Sequence, residues 1–111
     1  MGQKGHVGEF EHVILLVILQ LGEDAYAPNV AQHLETSVGR TVSRGALYSC
    51  LNQLERKRYL RWRLDAPTAE RGGHSRRLYQ VTARGVRALR ESRQSLFTLW
   101  QGLDRLLGPV N

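Results

Sequence analysis

The stretch "SRGALYSCLNQLERKRYLRWRL", Ser43 to Leu64, changes its period part-way along. Up to Leu54 the apolar residues Leu47, Cys50, Leu51 and Leu54 recur at helical spacing, so they share one stripe of a helix. From Leu60 the pattern alternates: Leu60, Trp62 and Leu64 against Arg61 and Arg63. That is the period of a half-buried strand. A helix therefore gives way to a strand across one short turn. Ser43 is a good N-cap for the helix, and Arg58 stands in the turn where a glycine would sit most easily.

Turning the stripe inward points Gly45, Ser49, Asn52 and Arg56 outward, with Tyr48 and Gln53 beside them. The outward face is small and hydrogen-bonding. Such a face suits entry into a DNA major groove, roughly 12 Å wide, where Asn or Gln pairs with adenine and Arg with guanine. Ser43 and Arg44 lie at the helix N-terminus, which favours phosphate. An ordinary solvated helix face would carry polar residues as well, so the flanking elements decide between the two readings.

On the N-terminal side, Phe10 to Leu21 is apolar at almost every position, which predicts a helix covered on several sides. Gly22 stops it in the usual place for a left-handed cap. A second helix follows, with Pro28 in its first turn, apolar Val30, Leu34 and Val38, and Gly39 at its end. Thr41 and Val42 allow no more than a short strand. On the C-terminal side, Ala66 to Ser75 reads as a loop and Arg76 to Val81 as the returning strand. Thr82 then caps a last helix expected to continue to about Leu107, before Gly108-Pro109.

The expected fold class is mainly α with a small antiparallel β-hairpin: a winged helix-turn-helix plus a long C-terminal helix. The division is a flexible start over residues 1–8, a DNA-binding domain over 9–81, a dimerisation helix over 82–107 and a tail over 108–111.

With 111 residues the chain fits one domain. Its net charge of +6 favours an anionic partner, nucleic acid before membrane. Residues 1–35 hold one basic and five acidic residues, and the remaining 15 basic and five acidic residues follow. The excess of positive charge thus lies on the side of the third helix and hairpin. Only Lys4 and Lys57 are lysines; arginine matches phosphate and guanine edges better, although a GC-rich genome would produce the same bias. Arg71, His74, Arg76 and Arg77 cluster on a hairpin thinned by Gly72-Gly73, a shape able to follow a phosphate backbone or enter a minor groove. The expected DNA-binding set is Arg40, Ser43, Arg44, Gly45, Tyr48, Ser49, Asn52, Arg56, Arg71, His74, Arg76 and Arg77.

The last helix, about 26 residues or roughly 39 Å, would overhang its own domain. Val86, Leu89, Arg93, Leu96, Trp100, Leu103 and Leu107 alternate spacings of three and four, a heptad seam with one polar interruption. Phe97, Leu99 and Leu106 widen it. These residues are the expected homodimer interface. A two-fold dimer would read a palindromic site. Packing on the first helix of the same chain is the other way to cover them.

Other chemistries find little support. The run "VILLVIL" is too short to cross a bilayer, which needs roughly 20 apolar residues, so no membrane partner is expected. His6, His12, His33 and His74 lack metal-ligand spacing, so no metal or cofactor is expected. Cys50 excludes an internal disulfide and reads as a buried thiol rather than a redox sensor. No nucleophile–base pair or carboxylate dyad points to an enzyme. The absence of a signal peptide in the first residues suggests a cytoplasmic, nucleoid-associated bacterial protein.

The segments "GALYSCLNQLERKRYL", "RWRLDAPTAERGGHSRRLYQVT" and "TARG" together resemble the PadR family of bacterial winged-helix transcriptional regulators, over residues 9–107. Gly45 and Tyr48 fall on its G-x-L-Y, Glu55 on its L-E, Tyr79 and Thr82 on its R-x-Y-x-x-T, and Gly85 on its T-x-x-G. The likeness is to the smaller members. It implies a homodimeric transcription factor, usually a repressor, whose helix from Ser43 reads the major groove while the wing touches phosphate or minor groove. It also implies that a small-molecule effector could bind an aromatic-lined dimer pocket, with Trp100 as the candidate lining residue. Arg58 departs from the family's glycine. The rival function is a winged-helix protein-interaction module making only nonspecific nucleic-acid contacts.

Overall fold

A computed structural model describes residues 7–66 and 75–108. The element order is α1 (Glu9–Leu21), a 3-10 turn (Gly22–Asp24), α2 (Ala27–Val38), α3 (Arg44–Arg56), β1 (Leu60–Asp65), β2 (Arg76–Val81), α4 (Ala83–Trp100) and α5 (Asp104–Leu107). β1 and β2 form an antiparallel hairpin with Leu60 opposite Val81 and Asp65 opposite Arg76. This is a winged helix-turn-helix with a long helix after the wing.

α1 is the hub of the core. Ile14, Leu15, Val17 and Ile18 are buried on it and meet α2, α3, α4 and β2. Val30 and Leu34 of α2, the whole predicted stripe of α3, and Leu60, Leu78 and Tyr79 of the hairpin complete one cluster. The covering of α1 is not total, because Leu16 and Leu19 remain exposed. Burial fades along β1: Leu60 is buried, Trp62 half-buried and Leu64 exposed, as the hairpin runs away from the core.

The joint between α3, the hairpin and α4 is built around Arg58. It is the only non-glycine residue with positive φ (66°) among those described. Its N–H bonds the Glu55 carbonyl at 2.9 Å, and the Tyr59 N–H reaches back to the Leu54 carbonyl at 3.0 Å. This pairing is a Schellman cap, whose left-handed position is usually glycine. The Thr82 hydroxyl donates to the Arg58 carbonyl at 2.7 Å and accepts the Gly85 N–H at 3.0 Å, capping α4. Gly85 lets α4 lie against this turn: a Cβ there would stand 2.3 Å from the Tyr59 carbonyl oxygen. The distant T-x-x-G motif and the end of α3 are thus one joint.

Three expectations are corrected. Thr41 and Val42 form no strand; they lie in the irregular link between α2 and α3, where Val42 packs on the core. The last helix does not run unbroken to Leu107. α4 ends at Trp100, Gln101 becomes extended (ψ 132°), and Gly102 takes φ 81° before the short α5. A glycine enters that region without the steric cost other residues bear, and its place inside an apolar helical pattern hid the break. Leu89, expected at a dimer seam, is buried in the chain's own core, because α4's first half packs on α1. Leu103 and Leu107 lie past the break, outside the register of α4.

Beyond Ser92, α4 carries no buried residue. The molecule measures 54 × 36 × 23 Å with a radius of gyration of 16.0 Å, against about 13 Å for a compact domain of this size. The predicted overhang is real, although α4 has 18 residues, or roughly 27 Å.

Candidate nucleic-acid interface

α3 presents the face its spacing predicts. Gly45, Ser49, Asn52 and Arg56 are all exposed, and a Cβ added at Gly45 would meet nothing within 4 Å. Ser43 is the N-cap, its hydroxyl accepting the Ala46 N–H at 3.1 Å. Arg44 lies over the Tyr48 ring at 5.7 Å. Arg56 donates to the Gln53 side-chain oxygen at 2.8 Å, so two members of the outer face are already oriented by each other.

The hairpin is fixed against α2 and α3 by polar bonds. The Trp62 indole N–H donates to Glu55 at 3.0 Å, so the Glu of the L-E pair ties the wing to α3. The Tyr26 hydroxyl donates to Asp65, and this bond, with burial, raises the phenol's pKa. The Tyr79 N–H bonds the Ala25 carbonyl at 2.9 Å. Arg63 bridges Asp65 at 3.1 Å and Glu23 at 3.4 Å.

Of the arginines expected to bind DNA from the wing, the two within the described residues lie on aromatic rings. Arg76 sits 3.5 Å from the Tyr26 ring centroid and Arg77 sits 4.1 Å from that of Trp62. Stacking holds a guanidinium in place while leaving its N–H edges outward for a ligand. Both side chains border a cleft of about 440 Å³ between the N-terminus of α2, Tyr48 of α3 and β2. The rings were missed by sequence reasoning, which counted charges on the wing and not the aromatics beneath them. The signal was present: strand alternation places Arg77 and Tyr79 on one side, and pairing sets Trp62 opposite Tyr79. Arg71 and His74 lie outside the described residues.

Arg40 is already engaged. It makes a bidentate ion pair with Glu9 at 2.9 and 3.1 Å and lies over Phe10 at 5.0 Å. The bond raises the Arg40 pKa and lowers that of Glu9. Lys57 pairs with Glu11 at 2.8 Å, joining α1 to the end of α3. These pairs commit acidic groups of the N-terminal region to the link after α2, the end of α3 and β1, and leave the α3 face to its own polar groups.

Other candidate residues have structural partners. His12 bonds Ser92 at 2.8 Å, and His33 bonds Gln20 at 2.8 Å; no metal-binding group occurs among the described residues. Cys50 is buried, and burial pushes its thiol up to about 11. No single helix is long and apolar enough to cross a membrane.

Along the overhang Leu96, Phe97, Leu99, Trp100, Leu106 and Leu107 are exposed, Leu99 at 72% and Leu106 at 80%. Val86 and Arg93 border a groove between α1 and α4 with Leu16 and Leu19.

The model of the PadR-like transcriptional regulator family matches residues 14–91, from the middle of α1 into α4. The chain belongs to the PadR family. Its fold is the DNA-binding fold of these transcriptional regulators. Similar solved structures include a PadR-like transcriptional regulator from Bacillus cereus, with 26% identity, 91% of this chain and 93% of that one covered, and a TM-score of 0.71. A PadR-like transcription factor from Bacteroides fragilis shares 26% identity over 87% and 88% of the two chains, with a TM-score of 0.70. A PadR family regulator from Eggerthella lenta shares 27% identity over 92% and 88%, with a TM-score of 0.67. Among curated proteins none matches the chain. Within this PadR chain the matched span contains both α3 and the wing and ends where the apolar overhang begins.

Proposed function

We propose that the chain is a homodimeric, sequence-specific DNA-binding regulator of the bacterial nucleoid that acts as a repressor. Residues 9–81 bind DNA and the segment 82–107 dimerises. α3 enters the major groove. Asn52 and Arg56 read base edges there, Ser49 and Gly45 permit close approach, and Arg44, Arg76 and Arg77 hold phosphates. The observation that carries this reading is the pairing of a thin exposed polar face on α3 with two ring-held arginines on the adjoining wing. Groove entry needs the first and backbone anchoring needs the second.

The exposed apolar overhang of α4 supports the dimer. A two-fold partner would bury Leu96 and Trp100 against the same surface of the other chain and place two α3 helices on one palindromic operator. A repressor needs only that this occupied site overlap a promoter. An effector lodged beside Trp100 would release DNA by favouring a dimer with different α3 spacing.

The test is binding to duplexes recovered from a random-sequence pool, compared with random DNA at one fixed salt concentration. Enrichment of a palindrome with half-sites one helical turn or a multiple apart is the expected result. Equal affinity for both DNAs would sink the regulator reading in favour of an interaction module with nonspecific nucleic-acid contacts.

A further inference from the structure

One buried polar atom in the cleft between α2, α3 and the wing has no partner. The Tyr79 side chain is 2% exposed, yet its hydroxyl is the one buried side-chain polar atom without a hydrogen bond among the described residues. Burial, the larger influence, raises the phenol's pKa, while the guanidinium of Arg77, two residues earlier on the strand, lowers it by a hydrogen-bonding contact and by its charge; that contact falls short of full hydrogen-bond geometry, so the hydroxyl keeps no well-formed bond. Buried hydroxyls are rarely left orphaned, because losing water without a replacement bond is costly. An orphan in the wall of a cleft suggests a group supplied from outside.

The rest of that cleft suits one kind of ligand. Tyr79, Tyr48, Arg76 and Arg77 border it together with the first turn of α2. That turn has no side-chain cap from Tyr26, and Asn29 turns its own amide back to the Asp24 carbonyl at 2.9 Å. An uncapped N-terminus of a 12-residue helix favours an anion. Two guanidinium groups stand at the rim, both on exposed side chains that can swing off their rings. The two guanidinium groups give the cleft its positive charge, beside apolar Ala27, Pro28 and Leu64.

We propose that this cleft seats one phosphate of the DNA backbone per protomer, and that the Tyr79 hydroxyl donates to that phosphate. The inference rests on the DNA-binding reading and adds to it the residue that gives the phosphate its place. In the free chain Arg76 and Arg77 lie over Tyr26 and Trp62 beside the cleft; on DNA their N–H edges meet the phosphate that the Tyr79 hydroxyl also contacts. Tyr79 therefore fixes the distance between wing and backbone, and through the Trp62–Glu55 bond the depth at which α3 sits in its groove. It is a positioning contact shared by all sequences, not a reader of bases.

The experiment compares wild type with Tyr79→Phe on a duplex selected by the wild-type protein. Parallel duplexes carry single methylphosphonate substitutions, which remove the charge of one phosphate at a time. Removing the hydroxyl should weaken binding by about tenfold per half-site, the size of one hydrogen bond to a charged group, equally for selected and random DNA. One methylphosphonate position per half-site should cost wild type affinity and cost Tyr79→Phe much less. The melting temperature of Tyr79→Phe should be unchanged or higher, since an unpaired buried oxygen is removed. Unchanged DNA affinity in a folded Tyr79→Phe, or no difference between the two proteins at any methylphosphonate, would overturn the cleft assignment and leave the regulator reading intact. A lowered melting temperature would also overturn it, by showing that the hydroxyl has a partner within the chain. Failure of the wild type to prefer any duplex would overturn both.

Discussion

Arg58 stays left-handed because the backbone around it admits nothing else. The Schellman bonds from Arg58 and Tyr59 close α3, the Thr82 hydroxyl holds the Arg58 carbonyl, and Gly85 presses α4 onto the next peptide. The cost of a Cβ at this φ is roughly 1 kcal/mol. Arg58→Gly should therefore stabilise the fold by no more than about 0.5 kcal/mol once the added freedom of the unfolded chain is set against the strain, and thermal unfolding should show a rise of roughly 2 °C. A lower melting temperature would mean that the Arg58 side chain makes up more than the strain. Cys50 gives a second residue-scale outcome. Its thiol is raised to about 11 from an ordinary value of 9.0 by burial, so the folded chain holds a proton that the unfolded chain releases first. Stability from this group is complete below pH 9 and is lost as pH rises toward 11. Denaturant titrations over that interval should show wild type losing stability more steeply than Cys50→Ala.

At the scale of elements, α3 and the wing divide the work. The exposed α3 face holds the groups able to distinguish bases, and the ring-stacked arginines hold charge without reading anything. Replacing Ser49 and Asn52 by Ala should flatten sequence preference while leaving random-DNA affinity nearly unchanged. Replacing Arg76 and Arg77 by Ala should weaken all DNA alike and reduce the salt slope by about 0.9 for each phosphate no longer neutralised. Fluorescence anisotropy on selected and random duplexes across a salt series separates the two; identical effects would remove the division of roles. Most of these elements were legible in the sequence. The change of period after Leu54, the caps at Ser43 and Thr82, and the glycine stops at Gly22 and Gly39 are local signals, and the structure keeps them. The stop at Gly102 is just as local, but a glycine within a run of leucines reads as tolerated rather than terminating, and only the backbone path shows that α4 ends there.

For the whole molecule, the overhang of α4 is the feature with the largest consequence. Its first half is anchored on α1 through Leu89 and Ala88, which are buried, and its second half carries exposed apolar residues. Leu96→Glu lies past the anchored half and should leave the monomer fold intact while setting charge in the partner's path. Sedimentation at low micromolar concentration should then give a monomer where wild type gives a dimer. Affinity for a palindromic duplex should fall on the order of 100-fold as the second half-site loses its tether. A dimer in both would move the interface elsewhere.

The sequence by itself determined the elements up to the middle of α4 and the outward face of α3, because helix and strand periods, caps and turns act over a few residues and leave their pattern in order along the chain. It also marked Arg58, since a missing glycine is visible at one position. Only the tertiary structure decided which apolar residues of α4 face α1 and which are left uncovered, that Arg40 is taken up by Glu9, and that Arg76, Arg77 and Tyr79 meet at one cleft. Those outcomes depend on where segments far apart in sequence come to lie. No period in the sequence records the distance between Tyr26 and Arg76, or between Trp62 and Glu55. Packing around α1 sets both.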